Sequence, residues 1–226
     1  MTKRGVAALS LLAVVAVAVV LVVFLTRSSD EPEPTPTYVV AIDAGHGGRD
    51  PGAVVGDVLE KDINLEIVSK LQGLVDAESD LEAAMTRTLD IYVSLEERIR
   101  IAEDAGATIY VSVHVNSFGA PDPHGVETIV DDTRALDDDS WVLAELIQDS
   151  ITAATGARDR GSRSQESYLQ RTEMPAVSVE VGYLTNPDER AKLLDPEYQQ
   201  TVAAAILAGI RQFIDYRYGG PTEASD

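Results

Sequence analysis

Thr108-Ile-Tyr-Val-Ser-Val-His-Val115 is the stretch on which the fold turns. Its β-branched and aromatic residues follow one another almost without a break, over a length too short for a buried helix and suited to a strand covered on both faces. Working outward, Tyr38 to Asp43 (YVVAID) is a second such run, closed by a Gly-rich turn, and Leu81 to Thr86, Gly125 to Val130 and Ala176 to Val181 read as further strands. Between them, Leu59 to Val75 places Ile63, Ile67, Leu71 and Leu74 at helical spacing, and Ser94 to Ala105 opens on Ser-Leu-Glu-Glu, a capping box. Ser140 to Thr155 and Pro196 to Tyr216 complete the helices. Strands alternating with helices of crossover length predict an α/β fold: one domain whose mainly parallel or mixed central sheet is covered by helices on both faces.

Composition bounds what such a domain does. The chain has 226 residues, no cysteine, and 38 acidic against 18 basic side chains, a net charge of −20. A disulfide framework, a thiol nucleophile and any Cys-built metal site are excluded. A nucleic-acid partner is disfavoured, because phosphate neutralisation requires clustered Lys and Arg. Gly5 to Thr26 is uncharged and almost wholly apolar, long enough at about 1.5 Å per residue to cross a hydrocarbon core of about 30 Å. Lys3 and Arg4 precede it, so positive-inside bias keeps the N-terminus cytoplasmic and exports the rest. The segment 1–27 is therefore expected to be a membrane anchor, with a cleaved export signal, and hence secretion, as the alternative. Ser28 to Thr37 (SSDEPEPTPT) reads as a stiff, extended linker, 38–218 as the folded domain and 219–226 as a polar tail. Acids and bases balance over residues 1–37, which leaves the whole net charge of −20 on residues 38–226.

In open α/β sheets, chemistry collects at the carboxyl ends of the strands. There the sequence puts His46 (DAGHGG), His114 (SVHVNS) and Glu180 (SVEVG), while Glu60 stands at the start of the first long helix. Each has a plainer reading: a turn residue for His46, a satisfied core histidine for His114, a helix-dipole acid for Glu60. Glu180 resists one, because it interrupts a buried apolar run where an unpaired carboxylate is costly. Two imidazoles and a carboxylate suffice for a zinc site with one open position, leaving the second carboxylate as a base.

These residues also carry a resemblance. Val40-Ala-Ile-Asp-Ala-Gly-His-Gly-Gly-Arg-Asp-Pro-Gly52, Leu59-Glu-Lys-Asp-Ile-Asn-Leu65, Thr86-Arg87 with Ser94-Leu-Glu-Glu-Arg98, Ser112-Val-His-Val-Asn-Ser117, His124-Gly-Val-Glu-Thr128 and Met174-Pro-Ala-Val-Ser-Val-Glu-Val-Gly-Tyr-Leu-Thr-Asn186 together resemble the zinc-dependent N-acetylmuramoyl-L-alanine amidases of the amidase-3 type. The resemblance implies one zinc ion held by His46, Glu60 and His114, with Glu180 as the catalytic glutamate and peptidoglycan as substrate. It places the cut between the lactyl carbonyl of N-acetylmuramic acid and the nitrogen of L-alanine. Ala44 and Tyr183 depart from residues common in the family, without touching a proposed ligand. Division amidases of the family insert an autoinhibitory helix after Glu127, where this chain has only the acidic stretch Asp131 to Asp139, so no activator protein is expected to be required.

Lesser candidates surround this set. Asn116, two residues past His114, is expected either to orient substrate or to be a strand-end turn residue. Arg87 is expected to be a structural ion-pair partner or a contact to the carboxylates of the peptide. His124 reads as a rim residue and Trp141 as a packing residue, while Glu127 points along the next strand, either as an ordinary strand residue or as a support for the site. Opposed to the enzyme is a catalytically silent, membrane-anchored relative that binds wall peptide and recruits a partner. A complete ligand set with a spare carboxylate favours the enzyme, because a binding module has no use for a general base.

Overall fold

The structure, a computed structural model, describes residues 37–219. The expected anchor and nearly all of the linker lie outside the described residues, as does most of the tail. Among the described residues, no helix is long and apolar enough to cross a membrane. In chain order the elements are β1 (Tyr38–Ala44), β2 (Val54–Val55), β3 (Val58–Leu59), α1 (Glu60–Val75), β4 (Leu81–Met85), α2 (Leu95–Asp104), β5 (Ile109–Asn116), β6 (Val126–Asp131), α3 (Asp139–Thr155), β7 (Asp159–Gln165), a 3₁₀ turn (Tyr168–Arg171), β8 (Ala176–Tyr183), α4 (Pro187–Leu193) and α5 (Pro196–Tyr218).

Six strands form one sheet in the order β4-β1-β5-β8-β6-β7, and β2 with β3 makes a separate hairpin. The sheet is mixed. β4, β1, β5 and β8 run parallel, β6 lies antiparallel to β8, and β7 runs parallel to β6. From β1 the chain crosses through α1 to β4 on one side, then through α2 to β5 on the other. A right-handed crossover that reverses direction changes face, so α1 and α2 cover opposite faces and the carboxyl ends of β1 and β5 diverge at a switch point. His46 follows the end of β1, and His114 lies two residues before the end of β5.

The larger core lies under α1, α3 and α5, where Ile63, Ile67, Leu71, Leu143, Ile147, Ile206 and Phe213 pack on Val40, Ile42, Val111, Val113 and Val179. Trp141 is a partly buried neighbour of this cluster. On the other face, Ile99 and Ala102 of α2 and Leu169 of the 3₁₀ turn pack on Ala41, Tyr110 and Ala176. Helix boundaries follow local chemistry. The Ser94 hydroxyl accepts from the Glu97 amide at 3.2 Å, Asp138 caps α3, and Asp195 followed by Pro196 starts α5.

The β2–β3 hairpin, α4 and β7 have no counterpart in the expectations drawn from the sequence. β7 (DRGSRSQ) carries no apolar alternation, because it is an edge strand whose side chains are largely exposed. Its backbone is held by pairing with β6, and its arginines by the buried Glu127.

Candidate metal centre and catalytic cleft

β1 ends at Ala44, and His46 adopts φ 62°, the only positive φ at a non-glycine among the described residues. Such a left-handed backbone costs of order 1–3 kcal/mol and persists only where its surroundings impose it. Here they do: Arg98 donates to the carbonyls of Ala44 at 2.7 Å and His46 at 2.6 Å. Two glycines make room. A Cβ on Gly45 would overlap the His114 ring, and one on Gly52, at φ 65°, would stand 2.6 Å from Glu60 Oε2 and 2.7 Å from His46 Cδ2.

His46 Nε2 lies 3.2 Å, and His114 Nδ1 3.0 Å, from the same oxygen, Glu60 Oε1. One donor atom from each of these three residues falls within 4.8 Å of the others. The edge of a tetrahedron with metal–ligand distances of about 2.0–2.2 Å is about 3.3 Å, so the donor types and the two separations to Glu60 fit zinc. The three donors are held from behind. Asp50 Oδ2 sits 2.9 Å from His46 Nδ1, which leaves Nε2 for the metal, in the carboxylate–histidine arrangement common around zinc. The other Glu60 oxygen accepts from the Ala53 amide at 2.8 Å, and Oε1 accepts from the Val115 amide at 3.1 Å. Asn64, one turn along α1, donates to the Gly45 carbonyl at 3.2 Å.

Charge is concentrated here. Burial works against ionising Glu60, but hydrogen bonds and charge from His114 and His46 hold its carboxyl far below the usual carboxylate range. Burial likewise opposes the imidazolium of His46, and Glu60 with Asp50 outweighs it, raising His46 to about 9. Glu180, beside His114 in register on the adjoining strand, goes the other way: desolvation pushes it up to about 7 against the pull of His114. Its Oε2 is sealed from solvent and has no hydrogen-bond partner. An orphaned carboxylate oxygen beside a three-donor cluster fits a site built to receive a further group.

The support beneath the cleft is a buried polar network. Asp43, fully buried, accepts from Arg98 at 2.5 Å, Ser112 at 2.5 Å, Thr86 at 2.5 Å and the Tyr168 hydroxyl at 3.0 Å. Arg98 is 2% exposed, so a charge lost on either side would leave the other buried and unpaired, at about 3–5 kcal/mol. Lys61 ties the outer rim, donating to Asp90 at 2.6 Å and to the Gly48 carbonyl at 3.0 Å. Tyr92, Val93, Leu95 and Tyr168 wall a cavity of about 280 Å³ next to His46 and His114. A larger groove, about 730 Å³ beside His124 and Arg158, brings no ligand triad together and is not the chemical site.

His46, Glu60, His114 and Glu180 are thus brought together, whereas the side chains of two lesser candidates are engaged elsewhere. Arg87 is 2% exposed and makes neither an ion pair nor an outward contact. It donates instead to the carbonyls of Ala44 at 2.9 Å, Gly45 at 3.0 Å, Lys61 at 2.8 Å and Leu89 at 3.2 Å, clamping the His46 loop to α1. Those backbone acceptors take four of its five N–H donors. Asn116 also turns aside, donating to Glu127 at 2.6 Å and accepting from Ser117 at 2.7 Å. His124 stays exposed on its own loop, with Nδ1 2.9 Å from the Asp122 carbonyl. Asp50, Asn64, Asp43 and Arg98 escaped the sequence reading as parts of the site. Only Asn64 carried a positional cue, four residues after Glu60 and so on the same helical face.

A model of the family described as N-acetylmuramoyl-L-alanine amidase matches residues 40–212. The N-acetylmuramoyl-L-alanine amidase LytC of Bacillus subtilis is 36% identical over 171 residues, which cover 75% of this chain and 34% of LytC. This chain therefore spans about a third of that relative's length. Among solved structures, an N-acetylmuramoyl-L-alanine amidase from Clostridium difficile 630 is 34% identical with a TM-score of 0.77, covering 80% of this chain and 98% of that one. The CwlD amidase of Clostridioides difficile, solved in complex with the GerS lipoprotein, is 28% identical with a TM-score of 0.72, covering 80% and 100%. Since the family match runs from the first strand into the last helix, this chain belongs to the N-acetylmuramoyl-L-alanine amidases.

Proposed function

We propose that the domain hydrolyses the amide between N-acetylmuramic acid and L-alanine in peptidoglycan as a zinc enzyme, with His46, Glu60 and His114 as ligands and Glu180 as proton carrier. The observation that carries this reading is the unpartnered Oε2 of Glu180, buried beside three convergent donors. When bound, zinc supplies a Lewis acid for the scissile carbonyl and lowers the pKa of water to about 7. Glu180 takes a proton from the attacking water and delivers it to the amide nitrogen as the C–N bond breaks. The peptide then departs as a neutral amine rather than a poor amide anion. A carboxyl poised near 7 by burial suits both transfers. His46 and Glu60 keep their orientation throughout, because Asp50 and the Ala53 and Val115 amides hold them from outside the cleft.

Digesting purified peptidoglycan with the zinc-loaded protein is expected to yield free stem peptides with N-terminal alanine and glycan strands without peptide. Muropeptides that keep the lactyl–alanine bond, or cleavage within the peptide, would refute the assignment. The bond is expected to be cut by the purified chain alone. In support, only the short connection from Asp131 to Asp139 joins β6 to α3, with no helix across the cleft among the described residues.

The same reading takes the domain outside the cytoplasm, anchored by residues 1–27, since peptidoglycan is an extracytoplasmic substrate and Gly5 to Thr26 is uncharged and almost wholly apolar. Fractionating cells that express the full chain is expected to find the enzyme in membranes with an intact N-terminus. A mature protein beginning near Ser28 in the medium would replace the anchor with an export signal.

A further inference from the structure

Across the sheet, three residues stand side by side at one level. His114 of β5 pairs in register with Glu180 of β8, which pairs in turn with Glu127 of β6. With strands about 4.8 Å apart, the row from metal donor to base to Glu127 spans about 10 Å. Glu127 is buried, and four donors occupy its carboxylate: Asn116 Nδ2 at 2.6 Å, the Tyr183 hydroxyl at 3.1 Å, Arg160 Nε at 3.1 Å and Arg163 Nη1 at 2.9 Å. One negative charge thus faces two guanidinium groups, which leaves one positive charge over. Each arginine uses a single nitrogen on Glu127, and neither side chain makes another hydrogen bond to a described residue. Arg160 is steadied over the Tyr183 ring, 5.1 Å from its centroid. The Arg163 side chain is 54% exposed and that of Arg160 23%.

This surplus positive charge lies on β7, two strands from Glu180, in a protein of net charge −20. It is not needed to neutralise Glu127, for which one arginine suffices. Of the other arginines around the cleft, Arg87 and Arg98 are buried against backbone carbonyls or Asp43, and Arg49, exposed on the His46 loop, lies over the Tyr92 ring at 4.1 Å from its centroid.

We propose that Arg160 and Arg163 form a carboxylate subsite that engages the peptide leaving group of the substrate. The proposal rests on the amidase reading above and adds which chemical feature of the peptide is recognised. The arginine nitrogens lie a further 2.9–3.1 Å past the Glu127 carboxylate. Two to three residues of extended peptide span about 7–10 Å, and a charge-assisted hydrogen bond adds about 2.8 Å, so a carboxylate on the second or third residue past the scissile bond comes within reach of them. Forked guanidinium donors suit a planar carboxylate, whereas an uncharged carboxamide in its place gains no ion pair and offers a single acceptor oxygen. Glu127, Tyr183 and Asn116 act as positioning residues that hold the two arginines in place.

The test uses the full zinc-loaded chain and three soluble muropeptides: one with all peptide carboxylates free, one amidated at the second residue and one amidated at the peptide C-terminus. Amidation at the engaged carboxylate is expected to lower kcat/KM about ten- to a hundredfold, mainly through KM. The arm that shows the loss tells which carboxylate is bound. In Arg163→Gln, where Arg160 still neutralises Glu127, the preference for acid over amide is expected to fall toward one, and Arg163→Lys is expected to restore part of it. Equal kcat/KM on all three substrates, or a preference unchanged in Arg163→Gln, would overturn the subsite and leave the amidase reading standing. Cleavage of none of them by the parent protein would overturn the amidase reading, and the subsite with it.

Discussion

Replacing Glu180 by Gln is expected to lower turnover by about 10²–10⁴-fold while leaving the metal in place. The change preserves shape and removes only the capacity to take up and give back a proton. Two transfers depend on that capacity, one from water and one to the departing amine, and no other carboxylate is free to substitute. Glu60 belongs to the donor cluster, Asp50 is bound to His46, and Glu127 is saturated by four donors. Folding should tolerate the change, because Oε2 of Glu180 has no partner to lose and burial already disfavours its charge. The measurement is kcat on a soluble muropeptide, together with zinc content by elemental analysis. A variant within tenfold of the parent rate would place the proton carrier elsewhere, and a variant that loses zinc would make Glu180 a ligand.

Removing any one of His46, Glu60 or His114 as Ala is expected to abolish activity and stoichiometric zinc together. With three protein ligands, a single deletion leaves two, too few for a site that keeps one position open. Glu60→Ala is expected to act most severely. Its Oε1 is the atom both imidazoles approach, and its loss also leaves the Ala53 and Val115 amides without their acceptor. Zinc content after dialysis, read beside thermal unfolding with and without added zinc, separates loss of the ligand from loss of the fold. Near-stoichiometric zinc in all three variants would remove this triad as the metal centre.

Much of this was legible in the chain, and the exceptions share a cause. Strands β1, β5 and β8 announce themselves because both faces are buried, so their residues are apolar in sequence as well as in space. The long helices carry their own periodicity and caps. The convergence of His46, His114 and Glu180 was legible because each sits where a strand or its following loop reaches the carboxyl edge, and an acid inside an apolar strand demands a partner. β7 carried no such signal, since an edge strand with polar side chains looks like a loop until its neighbour is known. Arg87 misled for a related reason: a cation in an acidic chain suggests an acidic partner, yet its actual partners are carbonyls of residues 44, 45, 61 and 89, which any sequence would offer equally.

By itself, the sequence determined the order and kind of most elements, the α/β class and the four residues at the heart of the cleft. These depend on local spacing and on the cost of burying a charge, both of which are properties of a short stretch of chain. Tertiary structure alone decided that β6 runs antiparallel beside β8, and so that Glu127 stands next to Glu180 with two arginines of an unannounced strand upon it. It also decided that Asp43 and Arg98, 55 positions apart, would brace the left-handed turn at His46. Pairings of this kind come from which strands lie side by side, and the residues involved carry no mark of their partners until the sheet has formed.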